Sequence, residues 1–335
     1  MIQVDNLSKY FGPVQAVDQI SFQVSQGEIV GFLGPNGAGK TTTMRILTTF
    51  LPATSGVARV AGFDVMKESL DVRRNIGFLP ESVPLYAEMR VEEYLNYRAK
   101  LKNVDRKTRP GRLDYCLDRC RIREVRRRLL GTLSKGYRQR VGLADAMLHD
   151  PKILIMDEPT SGLDPIQIRE TLNLIRELGQ KHTILLSTHI LSEVEAVCQR
   201  VIIISSGRIG LDSKLADLST DSAVITIEVR GPADQVANVL KTTEGVDRVT
   251  SHPIGDGLVN FEIRTHQDRD LRESLSQRIA KNGWAMRRLD LRRRTLEDHF
   301  IDVVVRDENP LAGRRNRVDD YAPDGSQSLH ITASR

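Results

Sequence analysis

Short apolar runs alternate with longer helical stretches along the first two thirds of the chain. The runs EIVGFL at 28–33 and ILIM at 153–156 are short and apolar, as buried strands are. By contrast, VEEYLNYRAKL at 91–101 repeats apolar residues at the spacing of an amphipathic helix. Because strands that alternate with helices are typical of α/β folds, the pattern predicts an α/β domain at residues 1–220.

The order of predicted strands and helices changes after this domain. The segments VITIEV, PADQVANVLKTT, VDRVTS and GLVNFEIR, then a helical run at 269–281 and WAMRRLDL, follow one another in the order β-α-β-β-α-β. This order is the ferredoxin-like pattern. Thr295 stands three residues before Asp298, which is a capping signal for one more short helix. We therefore expect a small ferredoxin-like α+β domain at 221–305.

Length and composition limit the number of domains and the class of protein. The chain has 335 residues, enough for about two domains at roughly 150 residues each, and its hydrophobic content of 40% supports ordinary cores. The sequence contains no run of about 18 apolar residues and no signal-peptide core at its start, so we expect neither a membrane span nor secretion. Three cysteines exclude a disulfide scaffold, and we expect reduced thiols at Cys116 and Cys120. The polar segment 306–335 predicts a flexible tail.

The candidate chemistry begins directly after the first apolar strand. GPNGAGKT satisfies G-x-x-x-x-G-K-[ST] from Gly34 to Thr41, with a strand before it and a helical stretch after it. Its glycines let successive N–H groups turn inward around a phosphate, and the helix start adds a favourable dipole. Lys40 can reach the β- and γ-phosphates, and Thr41 can ligate Mg²⁺. A dinucleotide fingerprint would need G-x-G-x-x-G, which is absent from this segment.

A second strand adds two acids to the predicted nucleotide site. In KILIMDEP, Asp157 and Glu158 follow four apolar residues. Asp157 is placed to hold Mg²⁺, and Glu158 is placed to polarise the attacking water. Two acids at a strand end are weak evidence by themselves, but beside a phosphate loop they indicate triphosphate hydrolysis. The residues that we expect to contact the phosphates are Gly34, Pro35, Asn36, Gly37, Ala38, Gly39, Lys40, Thr41 and Thr42.

Three further motifs surround these two in a specific order. LSKGYRQRVGLADAML begins at Leu133, SGLD ends at Asp164, and LLSTHIL surrounds His189. With them, residues 1–220 resemble the nucleotide-binding subunit of an ABC transporter, and a P-loop NTPase fold of the ABC ATPase type is implied. Residues 221–305 resemble the small domain that follows the ATPase in ABC-2-type exporter subunits of the gliding-motility, Na⁺-efflux and drug-efflux groups.

The resemblance implies roles for residues outside the phosphate loop. Phe11, in KYFG, matches the aromatic residue that stacks on adenine, with the adjacent Tyr10 as the less favoured alternative. His189 matches the switch histidine that contacts the γ-phosphate, so it joins Glu158 and Lys40 as an expected catalytic residue.

The same resemblance implies a dimer that shares its two ATP molecules. Ser134 and Gly136 match the signature residues that face the γ-phosphate of ATP bound to the opposite subunit, and Asp164 matches a loop that lines the interface. The family signature is usually LSGGQ, whereas Lys135 and Tyr137 replace glycine and glutamine here. We expect the two retained residues to contact the phosphate, and the added cation to favour closure on an anionic ligand.

Position 81 is a second departure from the family pattern. GFLPES places Glu81 where the family usually has a glutamine that reaches Mg²⁺ and senses the membrane partner. A carboxylate can ligate Mg²⁺, but without the metal it would repel the γ-phosphate. We therefore assign Glu81 to the metal site together with Thr41 and Asp157, and expect tight coupling to Mg²⁺.

The expected function is that of an ATP-hydrolysing subunit that powers an ABC-type membrane transporter, with ABC-2 export favoured. The resemblance implies a homodimer, separate transmembrane permease subunits that contact a helical subdomain at about 83–150, and a position on the cytoplasmic face of the membrane. The alternative is a soluble ABC ATPase that acts on nucleic acid or ribosomes, suggested by the basic run RIREVRRR at 121–128. Such proteins typically carry two cassettes or a long coiled-coil insertion, which this sequence lacks, so a nucleic-acid partner is disfavoured.

Overall fold

The computed structural model describes residues 1–220, 223–265, 270–293 and 295–308. Within these ranges the strands are β1 (Ile2–Phe11), β2 (Val14–Val24), β3 (Ile29–Leu33), β4 (Ser55–Val60), β5 (Phe63–Asp64), β6 (Ile76–Leu79), β7 (Ile153–Asp157), β8 (Thr183–Thr188), β9 (Arg200–Ser205), β10 (Arg208–Lys214), β11 (Ala223–Arg230), β12 (Val246–Gly255), β13 (Leu258–Thr265) and β14 (Ala285–Arg293). They form three separate sheets.

Eleven α-helices accompany these strands in the described residues. They are α1 (Lys40–Leu47), α2 (Ser69–Asn75), α3 (Val91–Leu101), α4 (Arg109–Arg119), α5 (Lys135–Met147), α6 (Pro165–Leu178), α7 (Leu191–Val197), α8 (Leu215–Thr220), α9 (Ala233–Lys241), α10 (Arg272–Lys281) and α11 (Leu296–Glu308). Among these helices, none is both long enough and apolar enough to cross a bilayer.

The central sheet of the first domain has six strands in the order β10-β9-β3-β8-β7-β6. All neighbouring pairs from β6 to β9 are parallel, and β10 adds an antiparallel edge. Every residue of β3, β7 and β8 is buried, which explains why their sequences are continuous apolar runs rather than alternating ones. The carboxyl ends of the parallel strands therefore meet along one edge, where α/β sheets bind ligands.

An antiparallel sheet in the order β2-β1-β4-β5 covers one side of this core. Its inward residues, such as Ile2, Val4 and Phe22, share a hydrophobic cluster with Phe32 of β3 and with Met44 of α1. The rings of Phe22 and Phe32 lie 5.5 Å apart in a tilted arrangement. The predicted α/β architecture is confirmed, with this additional sheet packed against it.

The chain between β6 and β7 is helical. Helices α3, α4 and α5 share one apolar core, and both Cys116 and Cys120 are buried in it as free thiols. Asp145 of α5 is almost fully buried and pairs with two cations, at 3.0 Å from Nε of Arg98 in α3 and 3.1 Å from Nζ of Lys102 directly after α3. This ion-paired core joins α3 to the helix that begins beside Ser134.

The C-terminal sheet has the strand order β12-β13-β11-β14, with every neighbouring pair antiparallel. Helices α9 and α10 lie on one face, where Val236, Leu240 and Ile279 pack against Ile227 and Phe261. This topology is the ferredoxin-like arrangement that the sequence predicts. Helix α10 begins three residues later than expected, and residue 269 lies outside the described residues.

Helix α11 returns to the first domain. Leu296 and Val303 join one buried cluster with Leu33 of β3, Val194 of α7 and Val201 of β9. A Cβ atom on Gly210 of β10 would stand 2.3 Å from Val303 Cγ1, so the absence of a side chain at this position leaves room for the helix. The predicted cap is present, because Thr295 Oγ1 accepts from the backbone N–H of Asp298 at 3.3 Å.

This packing differs from the expected arrangement, in which 221–305 is an accessory unit and 306–335 is a tail. Helix α11 contributes to the core of the ATPase domain, and it continues through Glu308, three residues into the expected tail. Residues 309–335 lie outside the described residues. The capping signal predicts where α11 starts, but no sequence pattern indicates the surface on which α11 packs.

Replacing Val303 with aspartate tests the attachment of α11. Because Val303 is only 8% exposed, V303D should lower the free energy of unfolding of the first domain by roughly 2 kcal/mol or more. The matched control V305D changes a residue of the same helix that is 51% exposed, so its cost should be about 0.5 kcal/mol or less. Calorimetry of both variants checks this, and equal losses would mean that α11 is not docked.

Candidate functional site

Four neighbouring parallel strands bring the predicted nucleotide site together at one edge of the central sheet. The loop after β3 carries the phosphate-loop motif, and the loops after β6, β7 and β8 carry Glu81, Glu158 and His189. Backbone hydrogen bonds connect these loops: Gly34 donates to the carbonyl of Thr188 at 3.3 Å, and Glu158 donates to the carbonyl of Ser187 at 3.0 Å. The strand register therefore fixes how these residues stand relative to one another.

The phosphate loop needs glycine at its crowded positions. A Cβ on Gly34 would stand 2.3 Å from the carbonyl oxygen of Ile204, and one on Gly39 would stand 2.4 Å from that of Ala16. Gly39 also has φ of 103°, a left-handed conformation that side chains resist. Gly37 shares a positive φ, at 80°, but has open space around it. Glycine thus serves close packing at Gly34, both packing and conformation at Gly39, and conformation alone at Gly37.

Lys40 occupies the mouth of this loop. Its side chain is buried, and Nζ donates to the carbonyls of Gly34 at 2.8 Å and Pro35 at 3.1 Å. Nζ also lies 3.3 Å from Oε1 of Glu158. A buried cation is stable only with partners of this kind, and the same amine can exchange them for phosphate oxygens.

Glu158 sits at the centre of the site's polar contacts. Its backbone φ is 48°, unusual for a residue other than glycine, and such strain is concentrated at functional positions. Besides the contact of Oε1 with Lys40, Oε2 accepts from Nδ1 of His189 at 2.6 Å. The carboxylate is 8% exposed, so its two oxygens are held between a lysine and a histidine. The three residues predicted to be catalytic are therefore in direct contact.

Asp157 is bonded to oxygen donors next to this triad. Thr41 Oγ1 donates to Asp157 Oδ1 at 3.3 Å, and Ser187 Oγ donates to the same oxygen. Burial raises the pKa of Asp157, and these two hydrogen bonds lower it in part. Glu81 is close enough to contribute to the raised pKa of Asp157 and accepts from Ser161 Oγ at 3.2 Å.

These oxygens fit Mg²⁺, which prefers hard oxygen ligands and usually keeps a few protein ligands plus phosphate and water. In the part of the chain that the structure describes, no group of three or more His, Cys, Asp or Glu side chains forms a complete metal cage. Thr41, Asp157 and Glu81 thus offer oxygens of the kind that such an ion prefers.

Phe11 stands at the end of β1, where its ring is 46% exposed and Lys9 Nζ lies 5.1 Å from its centroid. The adjacent ring differs in its contacts, because Tyr10 OH accepts from Gln15 Nε2 at 2.8 Å. The hairpin that carries both rings continues into Ala16, whose carbonyl closely approaches Gly39. An exposed aromatic platform beside the phosphate loop is thus available.

The signature residues lie apart from this cluster. Ser134 caps α5, and it lines a cavity of about 480 Å³ together with Gly136 and Gln167, but with no residue of the phosphate loop. Asp164 caps α6 by accepting from the N–H groups of residues 166 and 167, at 3.0 and 2.9 Å. Lys135 Nζ lies against the same SGLD loop, since a Cβ on Gly162 would stand 2.3 Å from it.

Sequence reasoning missed two polar residues that support the site. Ser187 bonds Asp157, and its only signal is its place at the end of a buried strand. Glu193 is 1% exposed and accepts hydrogen bonds from Thr160 and Thr188. An acid beside the apolar positions of a seven-residue helix gives no recognisable pattern, so its role is visible only in three dimensions.

A second, larger cavity of about 960 Å³ opens between the ATPase core and the helical segment. Thr41, Glu81 and Asp157 line its inner end. Its outer rim carries exposed apolar side chains and several cations, represented by Phe50, Leu70, Leu101, Arg45, Arg73 and Arg98. The groove thus joins the predicted metal site to an amphipathic surface.

Comparison with known proteins agrees with this geometry. The sequence model of the ABC transporter family matches residues 17–161. The uncharacterized ABC transporter ATP-binding protein YxlF of Bacillus subtilis is 34% identical over 91% of this chain and 99% of its own length. The bacitracin transport ATP-binding protein BcrA of Bacillus licheniformis is 32% identical over 91% of this chain and 97% of its own length.

The solved structures agree as well. A dimeric bacterial ABC transporter cassette matches 64% of this chain and 99% of its own chain, with a TM-score of 0.59 and 25% identity. Fold and family together define a P-loop ATPase of the ABC type. The chain belongs to the ATP-binding proteins of ABC transporters and is an ATPase subunit that powers transport. This confirms the expected fold, family and enzymatic class.

Substituting glycines in the phosphate loop distinguishes crowding from conformation. G34A should weaken binding of a fluorescent ATP analogue by tenfold or more, because about 1.4 kcal/mol of strain already gives that factor and the clash is with rigid backbone. G37A meets no neighbour and carries only the cost of its positive φ, so it should lose less affinity. Titration of both variants checks this order, and wild-type affinity in G34A would contradict it.

Proposed function

We propose that two copies of this chain close head to tail around two ATP molecules, and that closure drives an ABC-2-type exporter. Lys40 of one copy and Ser134 of the other contact the same γ-phosphate. The observation that carries the proposal is the separation of the two halves of the site. The phosphate loop, Glu158 and His189 meet at one sheet edge, whereas Ser134 and Gly136 line a different cavity. A composite site needs a second chain.

Hydrolysis in this proposal starts from the contacts of Glu158. When Lys40 exchanges Glu158 Oε1 for phosphate, that oxygen becomes available to accept a proton from the attacking water. His189 donates to the other oxygen and so keeps the carboxylate oriented, while its ring is exposed enough to meet the γ-phosphate. Loss of the γ-phosphate removes the link between the copies, and the dimer opens by a shift in population.

Mg²⁺ is part of the same proposal. Thr41 and Asp157 would hold the ion, with Glu81 as a further ligand, because their oxygens lie together at the inner end of the groove. The ion would neutralise charge on the phosphates. Burial and the neighbouring carboxylates raise the pKa of Asp157, so a cation at this position would relieve electrostatic repulsion. Phe11 is proposed to stack on the adenine ring.

The partner of the dimer is proposed to be a separate transmembrane permease on the cytoplasmic face of the membrane. The groove between the ATPase core and the helices at 83–150 supports this, since its rim is amphipathic and its inner end reaches Glu81. A short helix of the permease placed there would sense the metal site directly. Export is supported by the similarity to BcrA, which is a bacitracin transport protein.

Two arginines of the basic run that suggested nucleic acid are engaged in ion pairs. Arg123 contacts Asp114 Oδ1 at 3.2 Å and also pairs with Asp118, and Arg121 lies 3.3 Å from Glu177 Oε1. Exposed pairs of this kind are typical of a solvated protein surface. No specific observation in the described residues favours the nucleic-acid alternative.

Replacing Glu158 with glutamine tests the assigned base. E158Q retains the shape of the side chain but weakens its capacity to accept a proton, so the turnover number should fall by about 10²-fold or more. Fluorescent ATP should still bind, and an ATP-stabilised dimer should accumulate in sedimentation experiments. K40A is the contrasting variant, because it should lose nucleotide affinity itself. Turnover near the wild-type rate in E158Q would refute the role of Glu158.

Mixing two inactive variants tests the shared site. S134A and K40A each damage a different half of the composite site. In a mixed dimer one site carries both defects and the other is intact, so some ATPase activity should return. The measurement is ATP hydrolysis across mixing ratios, with heterodimers verified by differently sized tags. No recovery despite heterodimer formation would contradict the head-to-tail arrangement.

A further inference from the structure

Glu193 of α7 is a buried acid with an unusual set of partners. The residue is 1% exposed, and in the described parts of the chain no lysine, arginine or histidine forms an ion pair with it. Instead, Oε1 accepts from Thr160 Oγ1 at 2.5 Å and Oε2 accepts from Thr188 Oγ1 at 2.6 Å. Hydroxyls that bond to a carboxylate inside a protein form strong, directional contacts.

The two threonines belong to the two loops that meet at Glu158. Thr160 follows Glu158 by two residues, and its carbonyl accepts from the N–H of Leu163 in the SGLD loop at 3.1 Å. Thr188 directly precedes His189, and its hydroxyl also accepts from the N–H of Ile190 at 3.1 Å. The carboxylate of Glu193 therefore connects the loop that follows β7 to the end of β8, directly before His189.

The same threonine reaches the phosphate loop. The carbonyl of Thr188 accepts from the N–H of Gly34 at 3.3 Å, and Glu158 lies between Lys40 and His189. A shift of Thr188 would thus displace His189 and disturb the first residue of the phosphate loop together. Glu193 therefore bonds to the residues beside Glu158 and His189, and Thr188 in turn bonds to the first residue of the phosphate loop.

We propose that Glu193 is a positioning residue, which locks the loop of Glu158 to the loop of His189 so that Glu158 meets the attacking water and His189 meets the γ-phosphate as one unit. This inference rests on the proposed roles of Glu158 and His189. Glu193 does not contact the substrate in this mechanism. It acts through the hydroxyls of Thr160 and Thr188, and its effect is on the chemical step rather than on ATP binding.

A carboxylate suits this role because it offers two acceptor oxygens and no donor. Glutamine has one acceptor oxygen, so in E193Q one hydroxyl must lose its acceptor or reverse its bonding. Thr188 is the more constrained of the two, because its oxygen already accepts from Ile190. Valine at either threonine position removes one hydroxyl while retaining a similar shape.

The test compares E193Q, T160V and T188V with E195Q in the full-length chain. Glu195 lies on the same helix and is exposed, so E195Q matches the change in charge without touching the lock. Each lock variant should lose about 10- to 100-fold in kcat, the scale for a small misplacement of reacting groups, with nearly unchanged affinity for a fluorescent ATP analogue. E195Q should retain both quantities.

A double variant separates locking from ordinary stability. If T160V and E193Q break the same link, their losses in kcat should not multiply in T160V/E193Q. Activities are counted per nucleotide-binding site and measured well below each melting temperature, so partial unfolding does not enter. Multiplying losses, or a lowered melting temperature with wild-type kcat, would overturn the proposal. If E193Q does not fold, the kcat values of T160V and T188V still test the proposal.

E158Q in the same assay distinguishes this proposal from the one on which it depends. When E158Q is inactive but T160V, T188V and E193Q turn over at the wild-type rate, the lock is refuted and the assigned base stands. When E158Q itself retains turnover, the proposed role of Glu158 is refuted, and the proposal about Glu193, which rests on that role, is refuted with it. Reduced kcat in the lock variants with an inactive E158Q supports both.

Discussion

The parallel pairing of β3, β6, β7 and β8 is the constraint on which the rest of the molecule depends. None of their loops holds a complete site, and each contributes one kind of group: an amine, a carboxylate or an imidazole. Hydrogen bonds between the sheet strands set the spacing of these groups. Two further backbone bonds, from Gly34 and Glu158 at the start of their loops to Thr188 and Ser187 at the end of β8, continue that order beyond the strands.

Charge complements this backbone frame. Lys40, Glu158 and Asp157 are all buried, and each would be costly to bury alone. Lys40 and Glu158 stabilise one another, while Asp157 relies on two hydroxyl donors and has a raised pKa. A cation that binds beside the buried acids therefore stabilises them, and an anion that binds beside Lys40 stabilises its charge. A metal–nucleotide complex supplies both.

Motif spacing predicts this part of the protein well because the chemistry is local. A phosphate loop is one turn between a strand and a helix, so Gly34 to Thr42 can be assigned from adjacent letters. The pattern β-α-β-β-α-β likewise succeeds because the order of element types is visible along the chain, although β11 pairs with β13 and β14 rather than with the next strand. Contacts between distant segments leave no such pattern. Glu193 meets Thr160, 33 residues earlier, and Val303 meets Gly210 across a separate domain.

These two distant contacts share one element. Val194, next to Glu193 on α7, packs in the cluster that receives Leu296 and Val303 of α11. The same cluster contains Leu33, the last residue before the phosphate loop. Helix α11 therefore packs in the same cluster as Val194 of α7 and the last residue of β3. This shared cluster ties the helix that follows the ferredoxin-like sheet to the core of the ATPase domain.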